Sequence, residues 1–173
     1  MLKTRRFLTS MFPLLFLLSV SCQGPPSDNA EQEADLQLLK ETTQRWIHGI
    51  WDNQDIALLD ELASPDYVYR VPGQEDVHAD ALPELLASLH TAFPDLHNTI
   101  EEQVAEAGIV ITRGTTHGTH LGPLGEVEAT GNTVALPWIL ITRFDQGRIV
   151  EDWELYNEVT FQTQLGIVTP PAS

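Results

Sequence analysis

Cysteine is nearly absent from this 173-residue chain, since Cys22 is the only one. A single cysteine excludes an intrachain disulfide and leaves no set of thiolates for a zinc site. We therefore expect packing alone to hold the fold together, which a domain of about 140 residues can achieve.

Basic residues are also scarce. The chain has nine lysines and arginines against 25 aspartates and glutamates, a formal net charge of −16. Such a surface repels phosphate backbones, so we expect no nucleic-acid partner. Two enzyme signatures are missing as well: the G-x-S-x-G of serine hydrolases, and the Lys-Ser/Thr pair that would make the glycines of residues 114–125 a phosphate-binding loop.

The N-terminal segment has the order of a cleavable signal peptide. Three basic residues within positions 3–6 precede an apolar run over residues 7–18 and small residues at 19–21. The apolar run is too short to span a bilayer stably. Residues 18–22, LSVSC, resemble the lipobox of bacterial lipoproteins, which implies export, lipidation at Cys22 and a place in the cell envelope on the periplasmic or outer-membrane side. The alternative is an ordinary signal peptide that ends by chance at a cysteine.

Composition then divides the chain into three parts. After the signal of residues 1–21, residues 22–33 are polar, contain two prolines and predict a tether. Residues 34–173 form one domain. Helical spacing of apolar residues predicts helices over 35–51, 56–62 and 79–93. Alternating patterns predict strands over 67–71, 96–106, 109–120, 133–145 and 148–157. Helices that precede strands, without regular alternation, predict an α+β fold with an antiparallel sheet.

Four segments in order resemble one protein family. They are WDNQDIALLDELASPDYV, AFPDLHNTIEE, GTHLGPLG and TRFDQGRIVEDWELYNEVTFQTQLG. The chain resembles the SnoaL-like polyketide and ester cyclases of the NTF2-like superfamily. The resemblance implies a cone in which three N-terminal helices pack on a curved antiparallel sheet. It also implies a small hydrophobic molecule as ligand and, as in related folds, a homodimer formed through the outer face of the sheet.

The last two strands predict the wall of a pocket. A two-residue turn at 146–147 would pair Asp145 with Arg148 and fix the register of the hairpin. Period two then predicts a pocket face that carries Trp138, Leu140, Thr142, Glu151, Trp153 and Asn157. The opposite face would carry Asp152 and Glu154 as solvated charges.

Glu151 is the predicted acid or base. A carboxylate among large apolar side chains has its pKa raised by desolvation, which suits proton transfer. The alternative is a structural role, with Glu151 bonded to Thr142 or to a helix. The resembling cyclases use a histidine and an aspartate at the positions of Thr142 and Asn157, and neither residue of this chain can transfer a proton as its counterpart does.

Other residues complete the candidate site. Tyr69, Trp138, Leu140 and Trp153 are expected to touch a ligand, and His120 is expected at the pocket mouth or on the surface. Arg113 is expected to pair with a carboxylate or to bind an anion. His117 and His120 lie three residues apart on a strand, so they cannot share a metal ion without a bulge.

Two functions of different class follow. The first is an enzyme that transfers protons on a small hydrophobic carbonyl or ester compound through Glu151, with Thr142, Asn157 and His120 orienting it and without a metal or organic cofactor. The second is a non-catalytic lipoprotein that binds a hydrophobic ligand. A deep pocket with converging polar groups would favour the enzyme.

Overall fold

Helices come first and most strands follow in the computed structural model, which describes residues 28–168. The helices are α1 (Asp28–Trp46), continued by a π-helical turn (Ile47–Asp52), then α2 (Ala57–Leu62), α3 (Leu82–Ala92) and α4 (Glu158–Leu165). The strands are β1 (Ala63–Arg70), β2 (Val77–His78), β3 (His97–Glu106), β4 (Ile109–Thr119), β5 (Thr133–Asp145) and β6 (Arg148–Tyr156). The predicted α+β class is confirmed.

The six strands form one sheet in the order β2-β1-β6-β5-β4-β3. Consecutive long strands pair antiparallel, as predicted. However, β1 runs parallel to β6, so the sheet is mixed and the prediction of a wholly antiparallel sheet is wrong. These two strands are far apart in sequence, so no tight turn imposes an antiparallel pairing on them.

The helix ends follow local chemistry. Helix α3 has Pro83 in its first turn, where no intrahelical N–H bond is required, and it ends at Ala92, with Phe93 as the C-cap just before a proline. Helix α4 was not predicted. The side chain of Asn157 accepts a hydrogen bond from the Thr160 N–H at 2.9 Å, and Gly166 ends the helix at a φ of 77°.

The main core lies between the helices and the inner face of the sheet. Its fully buried members include Trp46 and Ile50 from the first helical segment, Tyr67 from β1, Leu86 from α3 and Ile149 from β6. Helix α1 begins at Asp28, so part of the predicted tether is helical. The predicted signal peptide and Cys22 lie outside the described residues, and no helix within residues 28–168 is long and apolar enough to cross a membrane.

Candidate active site

A β-bulge decides which carboxylates face the interior. The predicted turn is present: Gln146 and Gly147 have φ values of 48° and 78°, and Asp145 pairs with Arg148. Beyond it Phe144 pairs with Ile149, but Arg143 pairs with Glu151, so Val150 is an extra residue in β6. One extra residue moves every later side chain to the other face of the sheet.

The register after the bulge is shifted by one residue from the predicted one. Thr142 pairs with Asp152, Leu140 with Glu154 and Trp138 with Tyr156. These pairs share the inner face, so Asp152 and Glu154 lie inside and the prediction that they are solvated is wrong.

A cavity of about 200 Å³ lies between the helices and this inner face. Its wall is mostly apolar, with a few polar groups, as is typical of small-molecule sites. The lining residues come from the π-helical turn, α3, α4, all of the strands and the loops after β1 and α3: Ile47, Trp51, Tyr69, Val71, Gln74, Glu75, Val77, Leu85, Leu89, Phe93, Leu96, Asn98, Thr116, His117, Val134, Leu136, Trp138, Leu140, Glu154, Tyr156 and Phe161.

Glu154 is the carboxyl group that meets the cavity from β6. The hydroxyl of Tyr69 donates to its Oε2 atom at 2.5 Å. Burial raises the pKa of Glu154 to about 7, against the opposing effect of the Tyr69 hydrogen bond and with a smaller upward contribution from the charge of Asp152. Near neutral pH this group can therefore both accept and donate a proton.

Asp152 lies two residues before Glu154 on the same face of β6 and is fully buried. Its Oδ2 atom accepts from the Trp46 indole at 2.7 Å and from the Tyr67 hydroxyl at 2.9 Å, and Oδ1 accepts from Thr142 at 2.6 Å. Burial raises its pKa, while the three donors act in the opposite direction. These bonds tie α1, β1, β5 and β6 together beneath the cavity floor.

The tyrosines of the site stay protonated. Burial raises the pKa of Tyr69 well above its usual value and that of Tyr156 to about 12. The hydroxyl of Tyr156 also accepts from the Gln74 amide at 2.7 Å. The hydroxyl also interacts with the carboxyl group of Glu158, which contributes to the raised pKa of Tyr156. A neutral hydroxyl at a cavity wall is of the kind that can stabilise a developing oxyanion, in exchange for such a partner.

Comparisons with known proteins place the chain in a family. The family model of the SnoaL-like polyketide cyclases matches residues 41–165. The chain belongs to the SnoaL-like polyketide cyclase family. A search of curated proteins found no match.

Solved structures with similar folds agree with this assignment. A candidate SnoaL-like cyclase from Jannaschia sp. CCS1 superposes with a TM-score of 0.70 at 19% identity, over 78% of this chain and 94% of the other. AclR, a candidate hydroxylase from Streptomyces galilaeus, gives 0.68 at 26% identity over 78% and 99%. IdmH, a candidate polyketide cyclase from Streptomyces antibioticus, gives 0.64 at 26% identity over 74% and 98%. The predicted NTF2-like fold is confirmed.

Within this SnoaL-like fold, Glu151 does not reach the cavity. It lies on the outer face of the sheet, where it pairs with Arg70 and, at 3.1 Å, with Arg143. The predicted orientation is wrong because of the bulge at Val150.

Two predicted ligand contacts also lie on the outer face. Trp153 pairs with Ile141 across the strands and is not part of the cavity wall. Arg113 is half-exposed and pairs with Glu101 and, at 3.6 Å, with Glu102. The expected carboxylate partner of Arg113 is therefore present, and an anion-binding role inside the cavity has no support.

The three residues that were predicted to orient the substrate do not line the cavity. Thr142 is buried and bonded to Asp152, and Asn157 is exposed and caps α4. His120 is fully buried, not at the surface or the pocket mouth. Its Nδ1 atom accepts from the Thr130 N–H at 3.2 Å, and its ring packs on Phe93.

Tyr69, Trp138 and Leu140 do lie in the cavity wall, and their contact with a ligand stays a prediction. Sequence reasoning missed Glu154 and Asp152 as interior groups. A signal was present in β1, where Tyr67 and Tyr69 alternate and present two hydroxyl donors on one face. Within residues 28–168 no group of three or more His, Cys, Asp or Glu side chains is placed to hold a metal ion.

Proposed function

We propose that this protein is an acid–base enzyme that cyclises or isomerises a small apolar carbonyl or ester compound. Glu154 is the proton-transfer group. The observation that carries the proposal is a carboxyl group with a pKa of about 7 at the wall of an apolar cavity. Membership of the SnoaL-like polyketide cyclase family supports the reaction type.

The chemistry follows from the two protonation states of Glu154. The carboxylate accepts a proton from the carbon next to a substrate carbonyl, and the negative charge moves to the carbonyl oxygen. The neutral hydroxyl of Tyr156 can donate to that oxygen. In a cyclisation the carbon then bonds to a second carbonyl carbon of the same molecule, whose oxygen takes the proton back from Glu154. In an isomerisation Glu154 returns the proton to a different carbon.

Converging polar groups favour this enzyme over a non-catalytic binding module. Besides Glu154 and Tyr156, the wall contains Asn98, whose Oδ1 atom accepts from Thr116 at 2.6 Å and from the Trp138 indole at 3.2 Å. These bonds fix the side chain of Asn98, which lies on β3, in the cavity wall.

Turnover by matched variants tests the proposal. A panel of small apolar diketones and keto esters is incubated with the wild-type protein, Glu154→Gln and Glu151→Gln, and products are followed by mass spectrometry and NMR. We expect Glu154→Gln to lower turnover by about 10²- to 10⁴-fold, the usual contribution of general acid–base catalysis. Glu151→Gln changes a carboxylate of the same strand on the outer face and should stay active. Equal activity of wild type and Glu154→Gln would refute the assignment.

We also propose that the protein is exported and held in the cell envelope by a lipid at Cys22. The support is the signal-like order of residues 1–21 and the lipobox resemblance, both outside the described residues. Detergent phase partitioning of cell fractions tests it. The wild-type protein should enter the detergent phase and Cys22→Ser should not, whereas identical partitioning would contradict lipidation.

A further inference from the structure

The cavity wall carries negative charge without a compensating arginine or lysine. Among its described lining residues the acidic ones are Glu154 and the exposed Glu75, and the only basic side chain is His117. A wall of this composition offers no charged partner to a carboxylate or phosphate group. It therefore disfavours anionic ligands.

The arginines of the described chain are engaged elsewhere. Each bonds to a partner away from the cavity: Arg45 to Glu61 at 2.6 Å, Arg70 to Asp76 at 3.0 Å, Arg113 to Glu102 at 3.6 Å, Arg143 to Glu151 at 3.1 Å and Arg148 to the Ala63 carbonyl at 2.6 Å. The whole chain has a formal net charge of −16. Its field attracts cations and raises their concentration at the cavity mouth.

Aromatic rings make up much of the same wall. The lining includes Trp51, Tyr69, Phe93, Trp138, Tyr156 and Phe161. The rings of Trp51 and Tyr69 lie 4.9 Å apart, and those of Tyr156 and Phe161 lie 6.3 Å apart. Aromatic rings carry negative faces that attract ammonium groups, above all where water is excluded.

Glu154 has one carboxyl oxygen free for a ligand. Tyr69 bonds to Oε2, whereas Oε1 has no protein hydrogen bond within residues 28–168. The cavity thus combines an acidic oxygen, a set of rings and the absence of lysine and arginine from its described wall.

We propose that the ligand of this cavity is a small organic cation, an ammonium group carried on an apolar body. The ammonium lies against Glu154 and the aromatic rings, and the apolar body fills the remainder of the space. The proposed function is the basis for the reaction that this ligand undergoes, but the binding itself can be measured without turnover.

Binding of a cation is coupled to the proton on Glu154. Tyr69 and Asp152 act directly on this carboxyl, and the charge of Glu154 also acts on Tyr156. The remaining titratable side chains of the cavity wall are Glu75 and His117. The two tyrosines are neutral because burial raises the pKa of both. A bound ammonium stabilises the Glu154 carboxylate, so binding below pH 7 must release a proton.

Three matched probes test the proposal by isothermal titration calorimetry on the purified protein. They are benzyltrimethylammonium, its neutral isostere neopentylbenzene, and the anion phenylacetate. At pH 8 we expect the cation to bind at least about tenfold more tightly than the neutral probe. Between pH 8 and pH 6 its affinity should fall about tenfold, since Glu154 has a pKa of about 7. Titrations in buffers of different ionisation enthalpy should show release of nearly one proton at pH 6.

Variants separate the carboxylate from the cavity as a whole. Glu154→Gln should lose about tenfold or more of the cation affinity at pH 8, together with the proton release, and should keep its affinity for neopentylbenzene. Glu151→Gln, on the outer face, should bind like the wild type. The proposal is overturned if no probe binds, if the neutral or anionic probe binds as tightly as the cation, or if Glu154→Gln keeps the cation affinity.

The outcomes also distinguish this inference from the proposed function. Cation binding without turnover of any carbonyl compound would leave the inference standing and contradict the enzyme. Turnover of neutral compounds without a preference for the cationic probe would support the enzyme and contradict the inference.

Discussion

Replacing Glu154 by glutamine should change how the stability of the protein depends on pH. The folded-state pKa of Glu154 is raised from 4.5 to about 7, mainly by burial. A group whose pKa is raised by folding contributes stability that is fully present below its unfolded pKa. That stability is lost as the pH rises through the folded pKa. For Glu154 the loss therefore occurs between about pH 4.5 and pH 7.

The size of the effect follows from the shift. A rise from 4.5 to about 7 corresponds to about 3 kcal/mol of unfolding free energy, of which about 2.5 kcal/mol is lost between pH 5 and pH 8. Glutamine resembles the neutral carboxyl group, can still accept the hydrogen bond from Tyr69, and does not ionise. Relative to Glu154→Gln, the wild type should thus lose about 2.5 kcal/mol of unfolding free energy between pH 5 and pH 8.

Urea denaturation followed by tryptophan fluorescence measures this difference at each pH. The effects of the other acidic groups largely cancel because both proteins share them. Glu151→Gln removes an outer-face carboxylate from the same strand. Its unfolding free energy should still show the pH-dependent loss that is assigned to Glu154. A constant difference between wild type and Glu154→Gln from pH 5 to pH 8 would show that Glu154 titrates normally, and the reasoning from burial would be refuted.

Three further predictions concern packing and assembly. Thr142→Val removes one of the three donors to the buried carboxyl group of Asp152 and should cost about 1–3 kcal/mol in urea unfolding. Thr112→Val, which loses an amide hydrogen bond at an equally buried site, is the matched control and should cost about 1 kcal/mol; an unchanged stability of Thr142→Val would contradict a role for this donor. Gly114→Ala should cost about 1–3 kcal/mol, because the added Cβ would lie 2.4 Å from the Trp138 ring; an unchanged unfolding midpoint would contradict this close contact. The resemblance to related folds implies a homodimer formed through the outer face of the sheet, and Ile139 on that face is 41% exposed. If it lies in this contact, Ile139→Asp should sediment as a monomer and the wild type as a dimer; a monomeric wild type would contradict the dimer.

The fold could be predicted because its signals are local. Apolar residues at helical spacing mark α1 and α3. The turn at Gln146 and Gly147 is marked by Gly147, which adopts positive φ readily, although Gln146 must adopt it too. The parallel pairing of β1 with β6 is not local. It depends on where a distant strand enters the sheet, and no pattern within either strand shows it.

The site was predicted only in part for a similar reason. Tyr69, Trp138 and Leu140 lie in the cavity wall. The sequence predicts Glu151 and not Glu154 as the cavity carboxylate, because a register extended from the turn contains no bulge. Alternation alone cannot reveal one extra residue at Val150.

The direct test of the central claim is the titration of Glu154 itself. Carbon-13 NMR of protein labelled at the glutamate side-chain carboxyl, with Glu154→Gln to assign the resonance, follows this group from pH 4 to pH 9. We expect a midpoint at about 7. A midpoint near 4.5, the ordinary value for glutamate, would contradict the account of Glu154 as the acid–base group of this cavity.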